Sequence, residues 1–455
     1  MTMLLPDGPL LAYYGDDFTG STDTMEVMAL QAGLPTVLFL GLPSASRLAQ
    51  FSDRRGIGIA GVARSKSPTW MHKNLPTAFD TLFGIGAPVT QYKICSTFDS
   101  SPEVGSIGTA IDIGLPRARE PWAPMVVGAP QLRRWQVFGN LFAGVGNVRY
   151  RLDRHPTMSR HPITPMREAD LRRHLAEQTA KRIELIDVAE LSAGTAAPRL
   201  GAIRNDGAEI ILFDVIDAAT QAEVGRLIWE MRGEGLFSAS SSGLQYALLA
   251  HWRSAGLLPS DPPSRYEIGA VDRLLIVSGS CSPDTATQIR CAEDAGFFTY
   301  RLDGRRIADA AQREDEIARA IEAADLAFKR GQDVLVYTAA SPDDPQIEEL
   351  KKFCRTNGVE LAGAQEALGH ALGRIAATLI ETHGLRRLII AGGDTSGRVL
   401  GQLPIEALEA IAPLAPGSPI CRAHSDVQAF DGLELSLKGG QVGSVDFFVK
   451  ATGRT

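Results

Sequence analysis

Two adjacent acids close the apolar run at the start of LLAYYGDDFTGSTDTMEVMALQAG (10–33). Asp16 and Asp17 repel each other and need a cation, donors or water, whereas a chain that needed only a turn could use Asn-Gly at less cost. Thr19, Gly20, Ser21 and Thr22 follow, supplying hydroxyls and the free backbone N–H groups of a helix start. Such a terminus attracts an anion, and acids beside it would hold a cation or accept a hydrogen bond from a substrate hydroxyl. An N-cap explains one of the two acids and leaves the second without a task.

Two further stretches have the same strand-loop-helix form. In LIIAGGDTSGRVLGQL (388–403), Gly392 and Gly393 allow close backbone approach, Asp394 offers an acid for magnesium or a proton, and Thr395 and Ser396 sit at a helix start. This is neither a GxxxxGK[ST] loop nor a dinucleotide G-x-G-x-x-G. In VSGSCSPDTATQIR (277–290), Ser278, Gly279, Ser280 and Ser282 would wrap phosphate oxygens, although an ordinary capped helix explains this stretch alone equally well. YKICSTFDSS (92–101) puts Lys93, Ser96, Thr97, Asp99 and Ser100 just after a strand, the mixture a carboxylate with neighbouring hydroxyls requires. GVARSKSP (61–68) adds Arg64 and Lys66, which would offset the repulsion of the Asp pair; taken singly, each cation reads as a surface charge. LELSLKGGQVGSVDFF (433–448) carries Lys438 and a glycine turn that would close over a nucleotide or form a plain hairpin.

Positioning these residues requires strands whose carboxyl ends gather. Short runs, apolar on both faces, read as parallel strands: LLAYY (10–14), TVLFL (36–40), GIGIAGVA (56–63), VTQYKI (89–94), PMVVGAP (124–130), EIILFDV (209–215), LLIVSG (274–279), DVLVYT (333–338) and LRRLIIAGG (385–393). Amphipathic helices alternate with them, among them 315–331 and 365–384. The alternation predicts an α/β fold with mainly parallel sheets covered by helices and with sites at the strand carboxyl ends. The Pro- and Ser-rich segment 259–270 separates a domain over 1–258 from one over 271–455. Residues 131–165, polar and Arg-rich, predict loops and edge strands, and RRHLAEQTAKR (172–182) a solvated helix face.

The 455 residues, 44% hydrophobic with a net charge of −7, suit a globular protein and lack the basic footprint of a nucleic-acid binder. No run is long enough to span a membrane, and MTMLLPDGPL has neither a basic region nor a signal-type core. Five scattered cysteines without CxxC argue for reduced thiols in the cytoplasm, and against zinc or a disulfide frame.

Together these motifs resemble the four-carbon acid sugar kinase family. They are DDFTG (Asp16 to Gly20), the K-x-CSTFDS-type segment from Lys93 to Ser100, HPITPM (161–166), SGSCS (278–282) followed by Thr285 and Gln288, and GGDTSG (392–397), in order along nearly the whole chain. Four stretches depart from the family pattern: Lys438-Gly439-Gly440-Gln441-Val442-Gly443 where K-S-G-N-F-G is usual, Val104-Gly105-Ser106-Ile107-Gly108 where a Gly-Asn-Ile-Gly-like run is usual, GAPQLRR at 128–134, and Lys66 where Arg is commoner. The resemblance implies an N-terminal sugar-acid-binding domain, a C-terminal nucleotide-binding domain and an active site in the cleft between them. It implies ATP and Mg2+ as cofactors and a hydroxyl of threonate, erythronate, a 3-oxo-tetronate or 3-oxo-isoapionate as acceptor. On this reading Asp16, Asp17, Arg64, Lys66, Lys93, Ser96, Thr97 and Asp99 bind the substrate. Ser280, Ser282, Gly392, Gly393, Asp394, Thr395 and Gly440 bind the nucleotide, and Asp17 and Asp394 are the catalytic acids, one on each side of the transferred group. A cytoplasmic enzyme, with a homodimer as one assembly, is expected. The rival from another class is a catalytically silent sugar-acid and nucleotide sensor of the same fold, suggested by the altered Lys438 loop. A haloacid-dehalogenase-type phosphatase lacks its Asp-x-Asp spacing here, and a nicotinamide-linked dehydrogenase lacks its fingerprint.

Overall fold

The computed structural model describes residues 4–161, 163–262 and 266–454, with Asp394 described by its backbone alone. Pro162 of the HPITPM motif and residues 263–265 of the expected linker lie outside the described residues. The chain divides into two compact units, Met1–Ser264 and Arg265–Thr455.

Unit 1 is built on strands β1 (Leu11–Gly15), β2 (Thr36–Phe39), β3 (Gly56–Ala60) and β4 (Val89–Lys93). It continues with β5 (Ala123–Met125), β6 (Arg134–Val137), β7 (Asn140–Val145), β8 (Val148–Arg151), β9 (Ile183–Ile186), β10 (Ile210–Phe213) and β11 (Leu236–Ser240). Its main sheet runs β11-β4-β1-β3-β2, all parallel, with Gly15 in register with both Ala60 and Lys93. A second parallel sheet runs β5-β10-β9, and β6-β7-β8 form an antiparallel sheet inside the segment predicted to hold loops and edge strands. The 172–182 stretch is helical only to Ala176, where the helix Leu171–Ala176 ends.

The core of unit 1 is aromatic beneath the carboxyl ends. Tyr14 and Tyr92, on adjacent strands, stack at 6.0 Å, and Phe79 meets both edge-on at 6.2 Å. That packing sets Gly15 and Lys93 level, and the Asp16 N–H donates to the Lys93 carbonyl at 3.0 Å. The chain order explains why a site forms there. From β1 the chain builds β2 and β3 on one side, then crosses back over β1 to lay down β4 on the other. The crevice between β1 and β4 is a topological switch point, where loops leave in opposite directions and a ligand finds room.

Unit 2 repeats this logic with β12 (Leu275–Ser278), β13 (Phe298–Arg301), β14 (Val334–Tyr337), β15 (Arg387–Ala391), β16 (Ala407–Ala415), β17 (Ser418–His424) and β18 (Glu434–Lys438). The order is β16-β17-β18-β15-β12-β14-β13, parallel except for β17, which is antiparallel to both neighbours. β18 leads to the helix Phe447–Lys450 rather than into a hairpin. β13 and β14 lie on one side of β12, and β15 on the other, so the switch point falls between β12 and β15. Leu274, Ile276, Leu335, Ile389, Phe447 and Phe448 fill the core on one face.

Candidate functional site

In unit 1 the sequence Gly15-Asp16-Asp17 leaves β1 in extended backbone, and Asp17 caps the helix Phe18–Glu26. The Asp17 carboxylate accepts from the Gly20 N–H at 2.8 Å and the Thr19 hydroxyl at 2.6 Å. The cation both acids require is Arg64, on a short 3-10 turn after β3. Its guanidinium donates to Asp16 at 2.7 and 3.3 Å, and to Asp17 at 2.8 Å through each terminal nitrogen. Arg64, expected to bind the substrate, is thus engaged by four bonds to the acid pair. Lys66, from the same stretch, lies over the Trp70 ring, 5.9 Å from its centroid.

The two acids differ in environment. Burial, with help from the neighbouring Asp17 charge, lifts Asp16 to about 6 despite Arg64. Burial also pulls Asp17 upward, but Arg64, the Thr19 hydroxyl, Lys93 and the Gly20 N–H together outweigh it and hold Asp17 below the usual carboxylate range. Near neutral pH Asp17 is an anion already supplied with donors, and Asp16 is the acid nearer to taking up a proton.

Lys93 ends β4 with a fully buried side chain, donating to the Ile94 carbonyl at 3.0 Å and pairing with Asp23 at 3.6 Å. The following turn carries half-buried Ser96 and buried Thr97, whose hydroxyl lies 2.9 Å from the Cys95 thiol. Burial pushes that thiol up to about 11, so it stays neutral. Phe98 is held at φ 60, a left-handed conformation costly for a bulky residue, and its ring is fully buried. This twist brings Asp99 back towards Arg64, whose charge it helps to stabilise. One Asp99 oxygen is buried with no hydrogen-bond partner. Ser100 is committed to scaffolding, bonded to the Phe98 carbonyl, His174 and Gln178.

Arg134 escaped the sequence reading of the site. It follows the loop at the carboxyl end of β5, where Ala129 and Arg134 exchange backbone hydrogen bonds. One terminal nitrogen donates to the Leu132 and Arg133 carbonyls at 3.1 Å, while Nε is buried without a partner. Burial lowers its basicity, and the Cys95 and Asp99 groups act against this.

In unit 2 the turns after β12 and β15 converge. The Gly279 N–H donates to the Ala391 carbonyl at 3.0 Å and the Gly392 N–H to the Lys438 carbonyl at 2.8 Å. Gly392 has φ 120, open only to glycine in practice, and a side chain at Gly279 would place its Cβ 2.2 Å from Thr395 Oγ1. The helix Gly393–Leu400 starts there with no side-chain cap, so its first N–H groups face the turn. Asp394 lies in its first turn, and its side chain is outside the described residues. Ser282 caps the helix Pro283–Asp294, which has Pro at its start and Asp284 in its first turn, both favourable there. The Ser280 and Thr285 hydroxyls meet at 3.0 Å, and Gly440 approaches so closely that its Cβ would stand 3.1 Å from Ser280 Oγ. Ser280, Ser282, Gly392, Gly393, Thr395 and Gly440 are therefore assembled around one switch point.

Beside the turns lies a pocket of about 220 Å3. Gly279 and Thr395 contribute to its wall, as do Ile347 and Leu350 from the helix Pro345–Asn357 and Leu361, Leu368 and Leu372 from the helix Leu361–His383. It offers an apolar chamber opening on polar turns, the usual form of a small-molecule site. Among the described residues, no group of three or more His, Cys, Asp or Glu is placed to hold a metal ion. All five cysteines are free, and no helix among the described residues is long and apolar enough to cross a membrane.

Comparison with known proteins finds two domain families. Residues 11–248 match a sugar-binding N-terminal domain and residues 275–448 a nucleotide-binding C-terminal domain. A 3-oxo-isoapionate kinase of Paraburkholderia graminis is 53% identical over 443 residues, covering 97% of this chain and 94% of the relative. A 3-oxo-tetronate kinase of Methylobacterium radiotolerans is 32% identical, covering 97% and 98%. Among solved structures, a Haemophilus influenzae protein superposes with a TM-score of 0.71 at 24% identity, covering 97% of this chain and 99% of that one, a likeness of fold.

Proposed function

Because the chain belongs to the four-carbon acid sugar kinase family, we propose that its acceptor is a branched 3-oxo acid sugar of the 3-oxo-isoapionate type. The protein is an ATP-dependent kinase acting on a small-molecule acid sugar. The choice of acceptor is favoured by the 53% identity to the 3-oxo-isoapionate kinase, against 32% for a 3-oxo-tetronate kinase that covers the same 97% of this chain. Three of the four stretches that set this chain apart from the family pattern, at Lys66, 104–108 and 128–134, lie in the sugar-binding half.

The observation that carries the mechanism is the convergence of Gly279, Gly392 and Gly440 beside an apolar pocket. The pocket takes the nucleoside, and the uncapped start of the helix Gly393–Leu400 takes the phosphates. Mg2+ enters as part of magnesium-ATP. The lack of a three-ligand protein cage among the described residues suits an ion held mostly by phosphate oxygens and water, with Asp394 the acid nearest in sequence. In unit 1, Asp17, an anion near neutral pH held by two Arg64 bonds, accepts a hydrogen bond from the attacking hydroxyl and takes its proton late, as that oxygen bonds to phosphorus, while Asp16 shares the same guanidinium. Thr97 and Asp99 orient the remaining hydroxyls. Such transfer needs alignment, charge neutralisation and a proton acceptor more than covalent chemistry. The five free thiols suit a cytoplasmic setting.

The test is ADP release from magnesium-ATP with a panel of 3-oxo-isoapionate, 3-oxo-tetronates, threonate and erythronate. The expected result is acid-dependent ADP with the highest kcat/KM for the branched acid. A higher value for a straight-chain acid overturns the acceptor assignment, and binding of an acid without turnover favours the sensor.

A further inference from the structure

The loop at residues 439–444 has its carbonyl groups tied from one side. Ser282 and Thr285 hydroxyls donate to the Gly440 carbonyl, Thr285 at 3.1 Å. The Gln288 amide reaches the carbonyls of Val442 at 3.1 Å, Gly443 at 3.3 Å and Ser444 at 3.0 Å. Ser282, Thr285 and Gln288 are spaced by three and share one face of the helix. Lys438 completes the set, donating to the carbonyls of Gly439 at 3.0 Å and Gly440 at 3.2 Å. The Val442 N–H turns back to the Gly439 carbonyl at 3.2 Å, and with the carbonyls drawn to one side the other N–H groups of the loop are left for the opposite side, where such groups form an anion-binding nest. Because backbone atoms do the holding, Gln441 and Val442 can replace the family's residues without dismantling the loop.

Lys438 is fully buried, and its third N–H goes to Thr285 Oγ1 at 3.1 Å, so all three ammonium protons are spent on the protein. The Phe447 ring faces it at 5.9 Å, Ala391 lies beside it in β15, and Asp284 on the capped helix is the charged group that supports its proton.

We propose that Lys438, together with Gln288, is a positioning residue for the nucleotide, acting through the 439–444 loop by turning its N–H groups towards the phosphates. This rests on the reading of unit 2 as the nucleotide site. The reading gains a consequence in pH. Burial brings the Lys438 ammonium down to about 8. The neutral amine has two N–H groups for three acceptors and turns a lone pair towards a carbonyl, so the loop loosens as pH rises past that value. Global unfolding does not accompany this. A lysine with a lowered folded pKa binds fewer protons folded than unfolded between about 8 and 10.5, so stability rises with pH across that window.

The experiment is steady-state kinetics of Lys438→Met, Lys438→Arg, Gln288→Leu and wild type from pH 7 to 9.5. Lys438→Met and Gln288→Leu are expected to raise the KM for magnesium-ATP about tenfold or more, the loss of one or two charge-assisted or buried hydrogen bonds. The KM for the acid sugar and kcat at saturating ATP stay within about threefold, since the loop does not act on those steps. In wild type the KM for ATP climbs above pH 8, and in Lys438→Arg, charged throughout, it stays flat. An unchanged ATP KM in Lys438→Met, equal losses in kcat and both KM values, or the same alkaline rise in Lys438→Arg as in wild type would overturn the proposal. If Lys438→Met does not fold, the wild-type and Lys438→Arg profiles decide. Equilibrium binding of magnesium-ADP to wild type separates the two layers: no binding refutes the nucleotide site itself, whereas binding unaffected by Gln288→Leu refutes only the clamp.

Discussion

Arg64→Met should cost unit 1 stability in proportion to pH. The guanidinium makes four bonds to two carboxylates whose side chains are 3% and 21% exposed. Removing one partner of a buried ion pair costs roughly 3–5 kcal/mol, because the other charge is left stranded. The stranded pair can limit that loss by taking up a proton. Starting from an ordinary value of 3.8, this costs about 5 kcal/mol at pH 7.5 and about 1.6 kcal/mol at pH 5, at about 1.36 kcal/mol per pH unit. The expected deficit is therefore about 3–5 kcal/mol at pH 7.5, falling to at most about 2 kcal/mol at pH 5. The sign follows from raised carboxylate pKa values: in the variant, stability is complete below the unfolded pKa and is lost as pH rises through the folded one. All five tryptophans, at 70, 122, 135, 229 and 252, belong to unit 1, so urea unfolding followed by tryptophan fluorescence reads this unit selectively. Arg64→Met/Asp16→Asn, with one buried charge fewer, should recover more than half of the deficit at pH 7.5. A deficit equal at both pH values, or a double variant no more stable than the single one, would refute the account of Arg64 as counter-ion to the acid pair.

Asp17→Asn and Asp394→Asn are each expected to lower kcat by at least about 10²-fold, the lower end for loss of a general base, and a folded variant at full rate removes that residue from the chemistry. Gly279→Ala puts a methyl 2.2 Å from Thr395 Oγ1, and displacement of that side chain should raise the KM for ATP about tenfold, about 1.4 kcal/mol of lost affinity; an unchanged ATP KM would show that Thr395 does not face the nucleotide. Arg134→Met should raise the KM for the acid sugar about tenfold while leaving that for ATP unchanged, since a half-buried guanidinium whose buried Nε has no hydrogen-bond partner suits an anionic substrate. Equal effects on both substrates would assign Arg134 to folding alone.

The places where chemistry would occur were legible in the sequence because strand, turn and helix start occur together in one short segment. LLAYYGDDFTG and LIIAGGDTSG each carry an apolar run, its stop and a helix start within about ten residues. The pocket in unit 2 was not legible. Leu361, Leu368 and Leu372 recur at helical spacing on the helix Leu361–His383, and that period is the same whether a face lines a chamber or fills a core. Residues 407–415, ALEAIAPLA, consist largely of good helix formers and nevertheless form the long strand β16. Burial of Ala407, Leu408 and Ala412 against neighbouring elements overrides local preference there. The sequence offered Arg64 and Lys66 alike as the cation for the acid pair, and the choice of Arg64 was hidden, since its engagement with Asp16 and Asp17 is set by the register of β1 with β3.

The two lysines show most clearly how spacing misleads. Lys93 and Lys438 each end a strand beside a switch point, and a cation there reads as a ligand for a carboxylate or a phosphate. Both side chains are buried, and each donates at 3.0 Å to the carbonyl of the residue that follows it, Ile94 in one unit and Gly439 in the other. A cation that turns back on its own loop shapes the backbone that will meet the ligand and keeps its charge out of water. Strand-terminal lysines in both units thus turn back on their own loops, and on the proposed reading the groups left to face an anionic ligand are Arg134 and the backbone N–H groups those loops present. On that reading, an anionic acceptor and an anionic nucleotide are held without a large excess of free positive charge, which would bind reactants and products alike and slow release.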